Sequence, residues 1–161
     1  MQEFSWVKYN THKMELQIIA KELKLKSRDK YKNELAYISR IILKSHYGNK
    51  PMNCFLDDFE FYFRESVEYV FSILKGDKNH LSIYHAVIIA IGIIDNYYDA
   101  LLLLEASGIP FLNIEYDMLM VFLQRFYSNE AIKGMSIKER IDIKDKILDN
   151  TEKEKLNLIF M

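Results

Sequence analysis

One cysteine, two prolines and five glycines in 161 residues leave this chain poor in the residues that staple or interrupt structure. With Cys54 as its single thiol, an internal disulfide framework, a cysteine zinc site and a redox Cys pair are all excluded. The glycines are isolated, so no glycine-rich loop is present to cradle phosphate. The four histidines (His12, His46, His80 and His85) are scattered, and no Glu-x-x-His motif accompanies the carboxylates. The longest apolar run, AVIIAIGII at residues 86–94, falls well short of the roughly 20 residues a membrane span needs. Residues 1–25 carry Lys8, Lys13, Lys21 and Lys24 without the apolar core of a signal peptide, which predicts a cytoplasmic protein.

What is present is apolar surface. Half of the residues are hydrophobic and 14% are aromatic, enough to predict one folded domain over residues 1–161. Gly48, Gly76, Gly108 and Gly134 each follow an apolar periodic stretch, where a left-handed residue ends a helix. The stretches between them have helical spacing and lack the alternation of strands. The expected fold is therefore all-α, a single compact bundle of about six to eight helices with antiparallel helical hairpins.

Particular helices follow from caps and stripes. A first helix is expected from a Thr11 cap to about residue 25, with Met14, Ile18, Ile19 and Leu23 inward, and a second over about residues 31–47. A third is expected over about residues 56–75, where Phe59, Phe63, Val67, Val70, Phe71 and Leu74 form a broad stripe. The run at 86–94 reads as a core helix that turns at Asp95-Asn96 into a second helix ending at Ala106, one unbroken helix being the alternative. Ala86, Ala90 and Gly92 would admit close neighbours. Asn113 is the expected cap of a helix to about residue 127, with Ile114, Met118, Leu119, Phe122 and Phe126 buried. Ser136 with Glu139 and Thr151 with Glu154 have capping-box spacing for two closing helices.

Charge is segregated along the chain. Residues 1–50 have 11 Lys/Arg against 5 Asp/Glu, residues 51–124 have 3 against 11, and residues 125–161 have 8 against 7. These give +6, −8 and +1, the net −1 of the whole chain. The acidic middle predicts a surface that receives a cationic partner, because summed charge of one sign steers encounter. Internal neutralisation by the basic N-terminal helices is the competing explanation. Lys21, Lys24, Lys26, Arg28, Lys30 and Lys32 form a basic stretch that would suit nucleic acid, although the acidic middle and a pI near 6.4 argue against it.

Catalytic chemistry finds no support in these patterns. Glu65 with Glu68, and Asp95 with Asp99 if one helix continues across them, would pair carboxylates on a helix face, but the remaining ligands of a di-metal site are missing. His85 reads as a packed histidine and Cys54 as a small buried hydrophobe. No catalytic residue, metal site or cofactor is expected, and the chain reads as a binding protein rather than an enzyme. The aromatic surplus suits either a large core or the seam of a homo-oligomer.

The stretch YHAVIIAIGIIDNYYDALLLLEASGIPFLNIEYDMLMVF at residues 84–122 resembles the helical hairpins of small all-helical immunity proteins from bacterial polymorphic-toxin systems, including contact-dependent inhibition and type VI delivery. The likeness rests on an apolar helix, an acidic turn, an aromatic pair, a leucine-rich helix and a Gly-x-Pro stop, over about a quarter of the chain. It implies an antidote that binds a cognate toxin domain, in many such systems a cationic nuclease. The implied contacts are Asp57, Asp58, Glu60, Glu65 and Glu68, with Asp95, Tyr98, Asp99, Glu115 and Asp117 as a second set. A helical adaptor, linked to nucleic acid through residues 21–32, is the other reading.

Overall fold

The computed structural model describes residues 4–161, and the side chains of Met52 and Val67, including the expected inward position of Val67, lie outside that description. Among the described residues there are nine α-helices and no strand: α1 (Trp6–Glu22), α2 (Glu34–Tyr47), α3 (Met52–Phe61), α4 (Val67–Lys75), α5 (Ile83–Ile93), α6 (Tyr97–Ala106), α7 (Asp117–Ser128), α8 (Ile137–Ile147) and α9 (Asn150–Phe160). Short 3₁₀ turns occupy Arg28–Lys30, Ile114–Tyr116 and Glu130–Gly134. The all-α expectation holds, with nine helices instead of six to eight.

The centre of the molecule is the α5–α6 hairpin. Residues 86–94 are all buried, as are Tyr97, Tyr98 and residues 100–104. The expected turn is where the sequence placed it: Ile94 is extended, and the Asn96 side chain accepts from the amides of Tyr98 at 2.8 Å and Asp99 at 3.4 Å. An Asn cap satisfies two of the free amides at a helix start, so the apolar run ends there rather than continuing. Helices α8 and α9 pack on α5, and α1, α2 and α7 pack on α6. Gly92 allows one close approach: a Cβ there would lie 2.7 Å from the Phe63 ring. Tyr127 closes another side, donating its hydroxyl to the Ala90 carbonyl at 2.9 Å.

Helix α1 departs from expectation in both start and register. Ser5, not Thr11, is the cap, with its hydroxyl accepting from the Lys8 amide, while Thr11 donates back to the Val7 carbonyl within the helix. Tyr9, Leu16 and Ala20 face the core, whereas Met14 and Ile18 are 64% and 56% exposed. Apolar residues lie on both faces of this helix, so periodicity alone cannot select the inward one. The ring of Tyr9 decides it by packing against Phe4 and Phe111.

The single helix expected over 56–75 is two. The chain leaves α3 through Arg64 in the left-handed region (φ 54°), the Glu65 amide returns to the Phe59 carbonyl at 2.9 Å, and Ser66 caps α4. Other boundaries shift by local competition for caps. Asn33 caps α2, so that helix starts at Glu34. A 3₁₀ turn follows Asn113, which makes no side-chain cap bond. The Ser136–Glu139 capping box is present; the last box is Asp149–Glu152 instead of Thr151–Glu154. Gly76 ends α4 at φ +85°, and a Cβ there would lie 2.7 Å from Lys32 Cβ.

Arg140 fastens α8 to the hairpin turn. Its side chain is buried, donates to the Ile94 carbonyl at 3.0 Å, and pairs with Asp95. The Ile94 carbonyl is one of the orphan acceptors at the end of α5, so the bond closes a helix terminus as well as an ion pair. Arg140→Ala is expected to lower unfolding free energy by about 3 kcal/mol in urea titrations, since it strands Ile94 and leaves a void.

Candidate functional site

The structure divides the ten expected contact residues into two groups. Asp57, Glu60, Glu68, Glu115 and Asp117 are exposed, and none of the ion pairs formed among the described residues uses them. The other five are engaged within the fold. Asp58 is half-buried and accepts from the Tyr47 hydroxyl at 2.8 Å, a contact that, with burial, pushes the tyrosine pKa upward. Glu65 is buried against His85 Nε2. Asp95 pairs with Arg140, and Asp99 lies 3.3 Å from His12 Nδ1. Tyr98 is 3% exposed, accepts from the Ser5 amide at 3.0 Å and stacks on His12, so it serves the core rather than a surface.

These engagements also revise the expected carboxylate pairs. Glu65 belongs to the turn before α4 and Glu68 to its first turn, so the two do not share a helix face. Asp95 sits in the hairpin turn, outside the helix that carries Asp99. Among the described residues no group of three or more His, Cys, Asp or Glu side chains is placed to hold a metal ion.

Two surfaces remain. The first is the outer face of α3, where Asp57, Glu60 and Phe61 fall at i, i+3 and i+4, so that three side chains share one face. Phe61 is 75% exposed, a high value for a ring of that size, and its only described ring contact is the edge of Tyr62 at 4.9 Å. Its neighbours Phe59 and Phe63 are buried, and they anchor the helix so that this face is presented outward. Glu68 lies in the first turn of the next helix, beyond the Arg64 turn. The second surface is a groove between the start of α7 and the end of α9, lined by Ile114, Glu115, Asp117, Lys155 and Leu158, with Ile114 84% and Leu158 68% exposed. Phe61, Ile114 and Leu158 are apolar members of these surfaces that charge counting did not single out. For Phe61 and Leu158 the signal in sequence was an apolar residue out of phase with the inward stripe of its helix, whereas Ile114, expected to be buried one turn before Met118, instead lies exposed in the 3₁₀ turn ahead of α7.

The basic stretch has a local role. Arg28 pairs with Glu34 and Lys32 with Asp77, the latter at 3.2 Å. Around it, Lys44 Nζ donates to the Leu23 carbonyl at 2.9 Å and Arg40 Nε to the Leu74 carbonyl at 3.2 Å. Cations here meet the carbonyl ends of α1 and α4, where the helix dipole favours positive charge.

His85 bridges two elements: one ring nitrogen meets Glu65 and the other, Nδ1, lies 2.9 Å from the Ser82 hydroxyl. A Ser-His-carboxylate line resembles a nucleophile with its base, but Ser82 Oγ also accepts the His85 amide at 3.2 Å and so caps α5. The trio locks the α4 entrance to the α5 start.

Burial raises the Glu65 carboxyl above the ordinary glutamate range, with His85 and Lys78 opposing, and burial raises Asp99 in the same way against His12. A carboxyl raised in the folded state binds its proton there at pH values where the unfolded chain has released it. Stability from Glu65 is therefore lost as pH climbs through the window above about 4.5. Glu65→Gln removes that dependence, so its stability relative to the native chain is expected to rise between pH 4 and pH 7 in urea titrations. An unchanged difference would contradict the assignment. Comparisons with protein-family models, curated proteins and solved structures found no match to this chain.

Proposed function

We propose that this chain is an immunity-type binding protein that neutralises a basic toxin domain in the cytoplasm, using the acidic face of α3. The observation that supports it is Phe61, 75% exposed on the helix face that carries Asp57 and Glu60. An exposed ring beside carboxylates suits a partner that presents Lys or Arg next to an apolar recess. The ring supplies buried area and cation–π attraction, and the acids set orientation and encounter rate. Glu68, at the start of the next helix, is exposed and enters none of the described ion pairs, so it adds to the negative charge near this face. A nuclease that holds phosphate with cations would be blocked by such a face at its substrate groove. Among the described residues no helix is long and apolar enough to cross a membrane, in keeping with action away from the bilayer.

Rim carboxylates act mainly on association rate and are screened by salt, whereas a central aromatic acts on dissociation. Paired baits test the reading. Native protein and the Asp57→Lys/Glu60→Lys variant are used to capture partners at high salt, and each retained basic domain is then expressed alone and with either bait. The expected result is a growth-inhibiting domain held by the native bait, rescued by it, and neither held nor rescued by the variant. Phe61→Ala should weaken the same complex by about 2 kcal/mol or more. Equal rescue by the charge-reversed variant, or capture of no toxic domain, would refute the proposal.

A further inference from the structure

Helix α1 buries one apolar stripe and displays another. Tyr9, Leu16 and Ala20 fill the core. Opposite them, Val7, Thr11, Met14 and Ile18 point into solvent, with Val7 76%, Met14 64% and Ile18 56% exposed. Their spacing of four, three and four residues is that of the contact seam of a two-stranded coiled coil. The buried and displayed stripes lie about half a turn apart, so the displayed one faces directly away from the rest of the molecule. Helix α1 packs against α2 and α6, and its buried residues are Tyr9, Leu16 and Ala20.

The flanking residues determine what can cover this stripe. On one side of the seam lie Lys8, Glu15 and Glu22; on the other lie Asn10 and Gln17. We propose that the stripe is the interface with a second copy of this chain, the two α1 helices lying antiparallel about a two-fold axis. When Val7 packs against Ile18 of the second copy, Thr11 packs against Met14, and the two-fold repeats both layers. In that same register Lys8 faces Glu15 of the second copy and Asn10 faces Gln17, each pair formed twice. The seam is thus complementary to itself in shape and charge, as a two-fold interface requires. A parallel arrangement would instead place Lys21, the next seam position, directly against Lys21 of the second copy.

The contact spans about three helical turns, so the dimer is expected to be weak, with a dissociation constant on the order of 10 µM. Analytical ultracentrifugation of the full chain between 1 and 200 µM reads it. Lys8→Glu sets like charges facing Glu15 at both ends and is expected to weaken the dimer about tenfold; Lys8→Glu/Glu15→Lys restores it. Orientation is read by oxidation in a Cys54→Ser background: Val7→Cys/Ile18→Cys cross-links to a covalent dimer, whereas Val7→Cys alone does not. The α1 positions changed are exposed and Cys54 is half-buried, and unchanged thermal melts confirm that each variant is folded. A chain that stays monomeric throughout, a dimer indifferent to Lys8→Glu, or cross-linking by Val7→Cys alone would each overturn the proposal.

Discussion

The burial of residues 86–94 and 100–104 in the α5–α6 hairpin is the constraint on which the rest of the molecule depends. A hairpin apolar on all sides must be surrounded, and the other helices are arranged to do so: α8 and α9 on α5, α1, α2 and α7 on α6, and α4 behind α2. Each fully buried Leu or Ile contributes roughly 1.5–3 kcal/mol relative to exposure, so the hairpin sets the geometry that its neighbours must satisfy. The cost falls near the turn, where backbone groups and the half-buried Asp99 carboxylate are drawn toward apolar surroundings. Arg140 at Ile94 and Asp95, His12 at Asp99, and Tyr127 at Ala90 answer that cost from three different helices.

The same constraint sorts the acidic residues. A run without Lys or Arg from Asn79 to Gln124 is what a central hairpin requires, because few charges can be buried. Of the acids at its edges, Asp99 meets His12 of α1 and Asp95 pairs with Arg140 of α8. Of the −8 segment, Asp77 pairs with Lys32 from the basic N-terminal part, while other acids find partners elsewhere in the chain or stay at the surface. Asp58, Glu65, Asp95 and Asp99 serve the fold; Asp57, Glu60, Glu68, Glu115 and Asp117 remain at the surface.

Much of the fold was legible because its signals are local. The Asp-Asn step after residues 86–94, the Ser136 capping box and the glycine after α4 each act within a few residues, and each lies where the sequence indicates. The break between α3 and α4 was hidden because Phe59, Phe63, Val70 and Leu74 keep helical spacing across it, while the turn depends on a left-handed arginine. The register of α1 was hidden by its two apolar stripes. The candidate site was legible only in part. Composition located the acids, but their division depends on partners such as Arg140, 45 residues from Asp95, and His85, 20 residues from Glu65. Sequence spacing carries no information about such pairs.

The division of the acids is the central claim, and unfolding free energies of two charge-reversed variants test it most directly. Asp57→Lys/Glu60→Lys/Glu68→Lys changes exposed carboxylates only, and its stability in urea should stay within about 1 kcal/mol of the native chain. Asp95→Lys/Asp99→Lys sets lysines against Arg140 and His12 beside the hairpin and should lose about 3 kcal/mol or more. Equal losses in the two variants would contradict the account, for they would mean that the exposed carboxylates also hold the fold together.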